Sequence, residues 1–160
     1  MILTIILAVA INGYIIMHSC LDAIESTKAS AGVVEVAEEV VNTVRPETIT
    51  PENHDSFASF IRKAFGHFGL FAISGLFSSL AFFLSLHPYN WCKHYMNVIF
   101  SLAFGLMMGI ITETIQLTVP GRSGEITDVL IDFSGYVLGT LFIGLIIFLV
   151  IRKVRQKQKA

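Results

Sequence analysis

Charged side chains are scarce in this sequence of 160 residues, of which 14% are charged and 54% hydrophobic. Soluble domains carry about 25% charged residues, so an ordinary soluble domain is excluded. Cysteine is limited to Cys20 and Cys92, and neither a GxSxG nor an HExxH motif occurs. No basic surface with interleaved aromatic residues indicates nucleic acid binding. The composition predicts an all-α integral membrane protein.

Long apolar runs make up much of the sequence. Four candidate spans lie near 1 to 19, 66 to 86, 96 to 118 and 128 to 151, each close to the ~20 residues that cross a bilayer core. The first run lacks a basic n-region and a small-residue cleavage site, which favours a retained anchor over a signal peptide. We therefore predict a bundle of four transmembrane helices, in which an anchor precedes a three-helix core of 63 to 151.

Positive charge is concentrated at the C-terminus, in a basic tail of 152 to 160. The positive-inside rule places this tail in the cytoplasm, and an even number of spans returns the N-terminus to the same side. Arg62 and Lys63, beside the second span, count against this orientation. With it, Cys20 faces outward and Cys92 inward, which excludes an intramolecular disulfide between them.

The outer loop of 20 to 62 carries an amphipathic pattern over 33 to 45. Valine and alanine recur there at helical spacing, with Glu35, Glu38 and Glu39 on the opposite face, and Pro46 ends the run. This helix is predicted to lie against the membrane or the bundle. Its acidic face argues against attraction to anionic lipid, so packing or partner contact is favoured.

Polar residues recur at helical spacing on one stripe of the second and third spans. Lys63 and His67 are four residues apart at the start of the second, so they share a face. On the third, Gly105 and Gly109 form a GxxxG pair that permits close helix approach, and Glu113 and Gln116 continue that stripe towards the outer end.

The fourth span repeats this arrangement with Asp128, Asp132, Gly135 and Gly139. The three stripes are expected to face each other, so that the glycines bring the third and fourth spans together and the polar groups gather in an outer pocket. A lone charge at a helix centre costs roughly 2.5 to 3.5 kcal/mol, so these groups should pair, face a cavity or lie near an interface.

The turn between the third and fourth spans contains Pro120, Gly121 and Arg122, and it is short enough to require an antiparallel hairpin. Arg122 either extends to the interface or pairs with Glu113 or Asp128 across the hairpin. Carboxylates at the start of the last helix are also explained by its positive dipole end.

Together these residues resemble the VanZ-like family, over roughly 60 to 150. The pattern is K-x3-H-F, then E-x2-Q, P-G-R, D and G-x3-G, and it is carried by Lys63, His67, Phe68, Glu113, Gln116, Pro120, Gly121, Arg122, Asp128, Gly135 and Gly139. The usual asparagine of the family is replaced by Asp132, which adds a titratable group. The resemblance implies a multi-pass plasma-membrane protein of Gram-positive bacteria, linked to the cell envelope and to resistance to the glycopeptide antibiotic teicoplanin.

Three functions remain open from the sequence. The first is binding of membrane lipid, a lipid-linked cell-wall precursor or a lipoglycopeptide drug, with ligand-binding residues Lys63, Gln116, Arg122 and Asp132. The second is a membrane enzyme for acid/base hydrolysis or transfer, with catalytic residues His67, Glu113 and Asp128. The third is a structural or partner-binding protein whose charges fix helix register. No cofactor is expected; metal ligation by the acidic groups with His67 is conceivable but not favoured.

Overall fold

The computed structural model describes residues 1 to 85 and 94 to 159, and all of its regular structure there is helical. The predicted all-α class is confirmed. The predicted inward position of Cys92 falls outside the described residues. The helices are α1 (Ile2–Ser19), α2 (Ala23–Val44), α3 (His54–Ile61), a π-helical segment (Arg62–Gly69), α4 (Leu70–Ser85), α5 (His94–Gln116) and α6 (Ile126–Lys159).

Four of the described helical stretches are long and apolar enough to cross a membrane: Ile2–Ser19, His54–Ser85, Tyr95–Gln116 and Ile126–Val154. Their number agrees with the four predicted spans. The second begins twelve residues before its predicted start at 66, because the chain stays helical from α3 through the π-helical segment into α4. Helix α6 continues through the basic tail as far as Lys159.

Helices α4 and α6 run parallel and form the centre of the bundle. A Cβ atom added to Gly135 would overlap the backbone of Phe68, and one added to Gly139 would overlap that of Ala72. The expectation that these two glycines bring the third and fourth spans together is therefore wrong, since they face the second span. A stripe of small residues permits close approach of another helix, but it does not determine which helix that is.

The glycines of α5 do face α6. The ring of Tyr136 lies directly over Gly105, and a Cβ atom added to Gly109 would be in ordinary van der Waals contact with Val129 and Asp132. Tyr136 is fully buried, because its ring occupies the space that the missing side chain at 105 leaves. The α5 GxxxG pair thus seats α5 on the last helix, as its pattern predicts.

Hydroxyl and amide groups fill much of the bundle interior. Ser74 donates to Asn12 at 2.9 Å, which joins α4 to α1. Ser79 bonds both Ser101 at 2.6 Å and Thr140 at 2.7 Å, which joins α4 to α5 and α6. Such bonds contribute roughly 1 kcal/mol each in a bilayer. The polar stripes of the sequence therefore specify helix register as well as the site.

Helix α2 begins ten residues before the predicted start, at a capping box formed by Asp22 and Glu25. It buries Val34 against Ala58 and Ile61, while most of its predicted apolar stripe stays outside the bundle: Val33, Val36, Val40 and Val44 are exposed. Helix α3 starts after Asn53. The bundle covers only a narrow strip of α2.

Candidate functional site

Ionisable side chains from three spans meet at one end of the bundle. Lys63 bonds Asp128, and His67 Nδ1 lies 3.0 Å from Asp132 Oδ1. Each pair joins the π-helical segment to α6. Lys63 and His67 are four residues apart, as are Asp128 and Asp132, so two parallel helices bring both pairs into contact. Glu113 of α5 completes the group, with Oε1 3.8 Å from His67 Nδ1.

The π-helical segment positions the two basic members of this group. Hydrogen bonds from residue i to i+5 widen its turn, and both Lys63 and His67 point towards α6 from it. Such segments are rare and occur often at functional sites. The chain stays helical through this segment, from α3 into α4.

Glu113 organises the hairpin between α5 and α6. Its Oε1 accepts a hydrogen bond from Gln116 Nε2 at 2.9 Å, and its Oε2 accepts one from the backbone N–H of Glu125 at 3.0 Å. Glu113 and Gln116 are both buried. The carboxylate therefore holds the start of α6 against the end of α5.

Arg122 forms no ion pair with Glu113 or Asp128, the two partners that the sequence offered as the alternative to extension to the interface. Its Nη2 donates to Gln116 Oε1 at 2.6 Å, and Gln116 in turn donates to Glu113, so the amide stands between the two charges. The Arg122 Nη1 atom is buried and has no hydrogen-bond partner within the described ranges. Burial lowers the pKa of Arg122 below the usual arginine value.

A cavity of about 460 Å³ lies beside this group. One wall is ionisable and includes Lys63, His67, Arg122, Asp128 and Asp132. Further lining residues come from the end of α1 and the first half of α2, and they combine the imidazole of His18 with small, hydroxyl and apolar side chains, among them Tyr14, Ser26, Ser30 and Val33. Volumes of roughly 300 to 1,000 Å³ are typical of ligand pockets.

Sequence reasoning missed the α1 and α2 wall, and it missed Glu125 as a site residue. Glu125 Oε2 lies 3.2 Å from Lys63 Nζ, and this hydrogen bond lowers the pKa of the exposed Glu125 carboxyl. The capping box D-x-x-E at Asp22 was a usable signal for the missed wall, because it places a helix start directly after α1. No sequence pattern placed that helix over the polar group.

This arrangement supports three kinds of chemistry. Arg122 has a free donor for an anion, and the close contact of His67 with Asp132 suits proton transfer. His67, Glu113 and Asp132 also offer one ligand atom each within 4.8 Å of one another, which makes them a group of described residues that could hold a metal ion.

Comparison with known proteins identifies the family. The sequence model of the VanZ/LLP1 family matches residues 3–150. This confirms the resemblance drawn from the motifs and extends it beyond the motif-bearing part of the chain to the first span. No curated protein and no solved structure matches the chain. A membrane protein of four spans with a polar group at one end of the bundle, this chain belongs to the VanZ/LLP1 family.

Proposed function

We propose that the chain binds an amphiphilic molecule of the cell envelope, with its anionic headgroup at Arg122 and its apolar part along α1 and α2. The unpartnered, buried Nη1 of Arg122, a residue that lines the cavity, is the observation that carries this proposal. A buried donor without a partner costs roughly 1 to 3 kcal/mol. A phosphate or carboxylate oxygen would remove that cost, and the planar guanidinium suits such groups.

Arg122 is better suited to the ligand than Lys63, which the sequence placed beside it. Lys63 is already paired with Asp128 and Glu125, so an incoming anion would compete with two carboxylates. Among the described residues, the Arg122 side chain hydrogen-bonds only the neutral Gln116 amide, while Glu113 and Asp128 act on it at longer range. Gln116 therefore acts by orienting the guanidinium, and Asp132 stands deeper in the cavity wall.

The cavity walls favour a molecule with an apolar part. Leu70 and Phe71 line the cavity below the ionisable wall, and Tyr14 and Val33 face it from α1 and α2. Membrane lipid is the first candidate ligand, and a lipid-linked cell-wall precursor or a lipoglycopeptide drug shares its chemistry. The link to teicoplanin resistance in a Gram-positive plasma membrane, which the family resemblance implies, belongs to this proposal.

The orientation proposed for the chain places both termini in the cytoplasm and the cavity at the outer surface. The basic tail supports it through the positive-inside rule. We expect an impermeant thiol reagent to label Cys20, which is exposed, in intact cells that carry Cys92→Ser. Labelling of Cys92 in cells that carry Cys20→Ser would contradict this orientation.

The binding proposal predicts a lipid that stays with the purified protein. Protein extracted in mild detergent should retain an anionic envelope lipid, detected by mass spectrometry, and Arg122→Met should lose most of it while remaining monodisperse. Lys28→Met is the matched control, because Lys28 lies on α2 beside the cavity without lining it. Equal lipid retention by wild type and both variants would contradict the proposal.

A membrane enzyme is the second candidate, favoured by the 3.0 Å contact between His67 and Asp132. A carboxylate that orients an imidazole is a common acid/base arrangement. With Arg122 beside the headgroup, His67 could move a proton during hydrolysis or transfer. Incubation with native envelope lipids separates the candidates: new or cleaved lipid species that disappear in His67→Gln indicate catalysis, and unchanged lipid indicates binding alone.

A further inference from the structure

We propose that His67, Glu113 and Asp132 bind a divalent transition metal ion, of the Zn²⁺ or Mn²⁺ type. The three residues come from the π-helical segment, α5 and α6, and their ligand atoms all lie within 4.8 Å of one another. This proposal goes beyond ligand binding at Arg122 and does not depend on it.

The distances within the group suit a single ion. Zn²⁺ binds nitrogen and oxygen ligands at about 2.0 to 2.2 Å, so the ligand atoms around one ion lie roughly 3 to 4 Å apart. His67 Nδ1 is 3.0 Å from Asp132 Oδ1 and 3.8 Å from Glu113 Oε1. An ion on the side of Nδ1 shared by both carboxylates would therefore need only small side-chain adjustments.

Two buried carboxylates share one imidazole at this point of the bundle. Asp132 is fully buried, and its Oδ2 makes no hydrogen bond of 3.5 Å or less to a described residue, although the Thr112 hydroxyl lies near this carboxylate. Neither Asp132 nor Glu113 lies within 4.0 Å of a described lysine or arginine; each has only the imidazole of His67 as an ion-pair partner. Uncompensated buried carboxylates are costly in a membrane protein, and one divalent ion would compensate both.

The surrounding contacts resemble the outer shell of a metal site. Gln116 and the backbone of Glu125 fix the Glu113 carboxylate, which still has lone pairs for a metal. His67 Nε2 faces Asp128 Oδ2 at 3.9 Å, on the ring edge opposite Nδ1. A carboxylate behind a ligating histidine commonly orients it, and Lys63 holds this one in place.

The donor set indicates the class of metal. One imidazole and two carboxylates suit borderline or hard divalent ions such as Zn²⁺ and Mn²⁺, and the absence of thiolate from the set disfavours Cu(I) and iron–sulfur clusters. Three protein ligands would leave a coordination position open. His67 and Asp132 line the cavity, so an open position could face a bound headgroup.

Metal binding to the purified full chain tests this proposal. After treatment with a chelator and removal of any affinity tag, the detergent-solubilised protein is titrated with Zn²⁺ and, separately, Mn²⁺. We expect about one ion per chain by elemental analysis after gel filtration. Asp132→Asn keeps the shape of the side chain and removes its charge, and His67→Gln removes the imidazole; each should weaken binding at least tenfold.

Two controls keep the result specific. His54 lies near Glu38 and Asp55, at 3.5 and 3.6 Å, in a partly exposed position, so His54→Gln removes the imidazole from a similar combination of donors and should leave binding unchanged. Arg122→Met should lose lipid and keep the metal, so that failure of the metal proposal can be distinguished from failure of the lipid proposal.

Electron spin echo spectra of bound Mn²⁺ should show coupling to an imidazole nitrogen in the wild type.

Three results would overturn the proposal: no ion retained by the folded wild type, binding that persists unchanged in both Asp132→Asn and His67→Gln, or loss of binding in His54→Gln alone. If a variant fails to fold, the spectrum of Mn²⁺ bound to the wild-type protein still tests whether His67 is a ligand. Bound Mn²⁺ without coupling to nitrogen would contradict ligation by His67.

Discussion

Gly139→Ala is expected to destabilise the protein strongly, although alanine is the better helix former by roughly 1 kcal/mol. The added Cβ would overlap the Ala72 carbonyl and the Leu76 amide of α4. Both are backbone groups, so they cannot move aside as a flexible side chain could. Overpacking of this kind costs about 1 to 3 kcal/mol and sometimes more. Thermal unfolding in detergent should show a lower midpoint.

Gly144→Ala is the matched control for this change. Gly144 lies on the same helix, and a Cβ there would meet no atom within 4 Å. Its unfolding midpoint should stay unchanged or rise slightly. Equal midpoints for the two variants would contradict the close packing of α4 on α6. Because this helix pair also carries the Lys63–Asp128 and His67–Asp132 contacts, Gly139→Ala should weaken lipid retention as well.

Glu113→Leu is the second change with a large expected effect. It removes the acceptor for two donors, Gln116 Nε2 and the Glu125 backbone N–H. A buried donor left without its partner costs about 1 to 3 kcal/mol. Gln116 also holds Arg122, so its release should disorder the guanidinium. We expect a clearly lower unfolding midpoint and loss of lipid together.

A series at this position separates structure from chemistry. Glu113→Gln keeps one oxygen that can accept the Glu125 N–H and loses the acceptor for Gln116, so its stability should lie between wild type and Glu113→Leu. Thr114→Val, at the exposed neighbouring position, should have no such effect. If Glu113→Leu were as stable as the wild type, the hairpin would not depend on this carboxylate.

Much of the site could be predicted because its members lie at helical spacing. Lys63 and His67, or Asp128 and Asp132, share a helix face whatever their partners are, and short turns keep neighbouring spans antiparallel. The number of spans followed from apolar length alone. Shared helix faces, antiparallel neighbours and the number of spans all depend on residues close together in the sequence, so the sequence alone predicts them.

The unpredicted features depend on packing between segments. Gly135 and Gly139 permit close approach to any helix, and only the assembled bundle selects α4. Gln116 separates Arg122 from Glu113 because of side-chain lengths at the hairpin end, which no spacing rule specifies. The π-helical segment has no distinctive composition. Helix α2 lines the cavity together with parts of the chain that are far apart from it in sequence.

The central claim is that Arg122 gives the cavity its preference for an anionic headgroup. The most direct measurement is a titration of purified, delipidated protein with short-chain phosphatidylglycerol and, separately, phosphatidylcholine in the same detergent. We predict at least tenfold tighter binding of phosphatidylglycerol to wild type and to Lys28→Met, and no preference in folded Arg122→Met. Equal binding of the two lipids by wild type, or an undiminished preference in Arg122→Met, would contradict the claim.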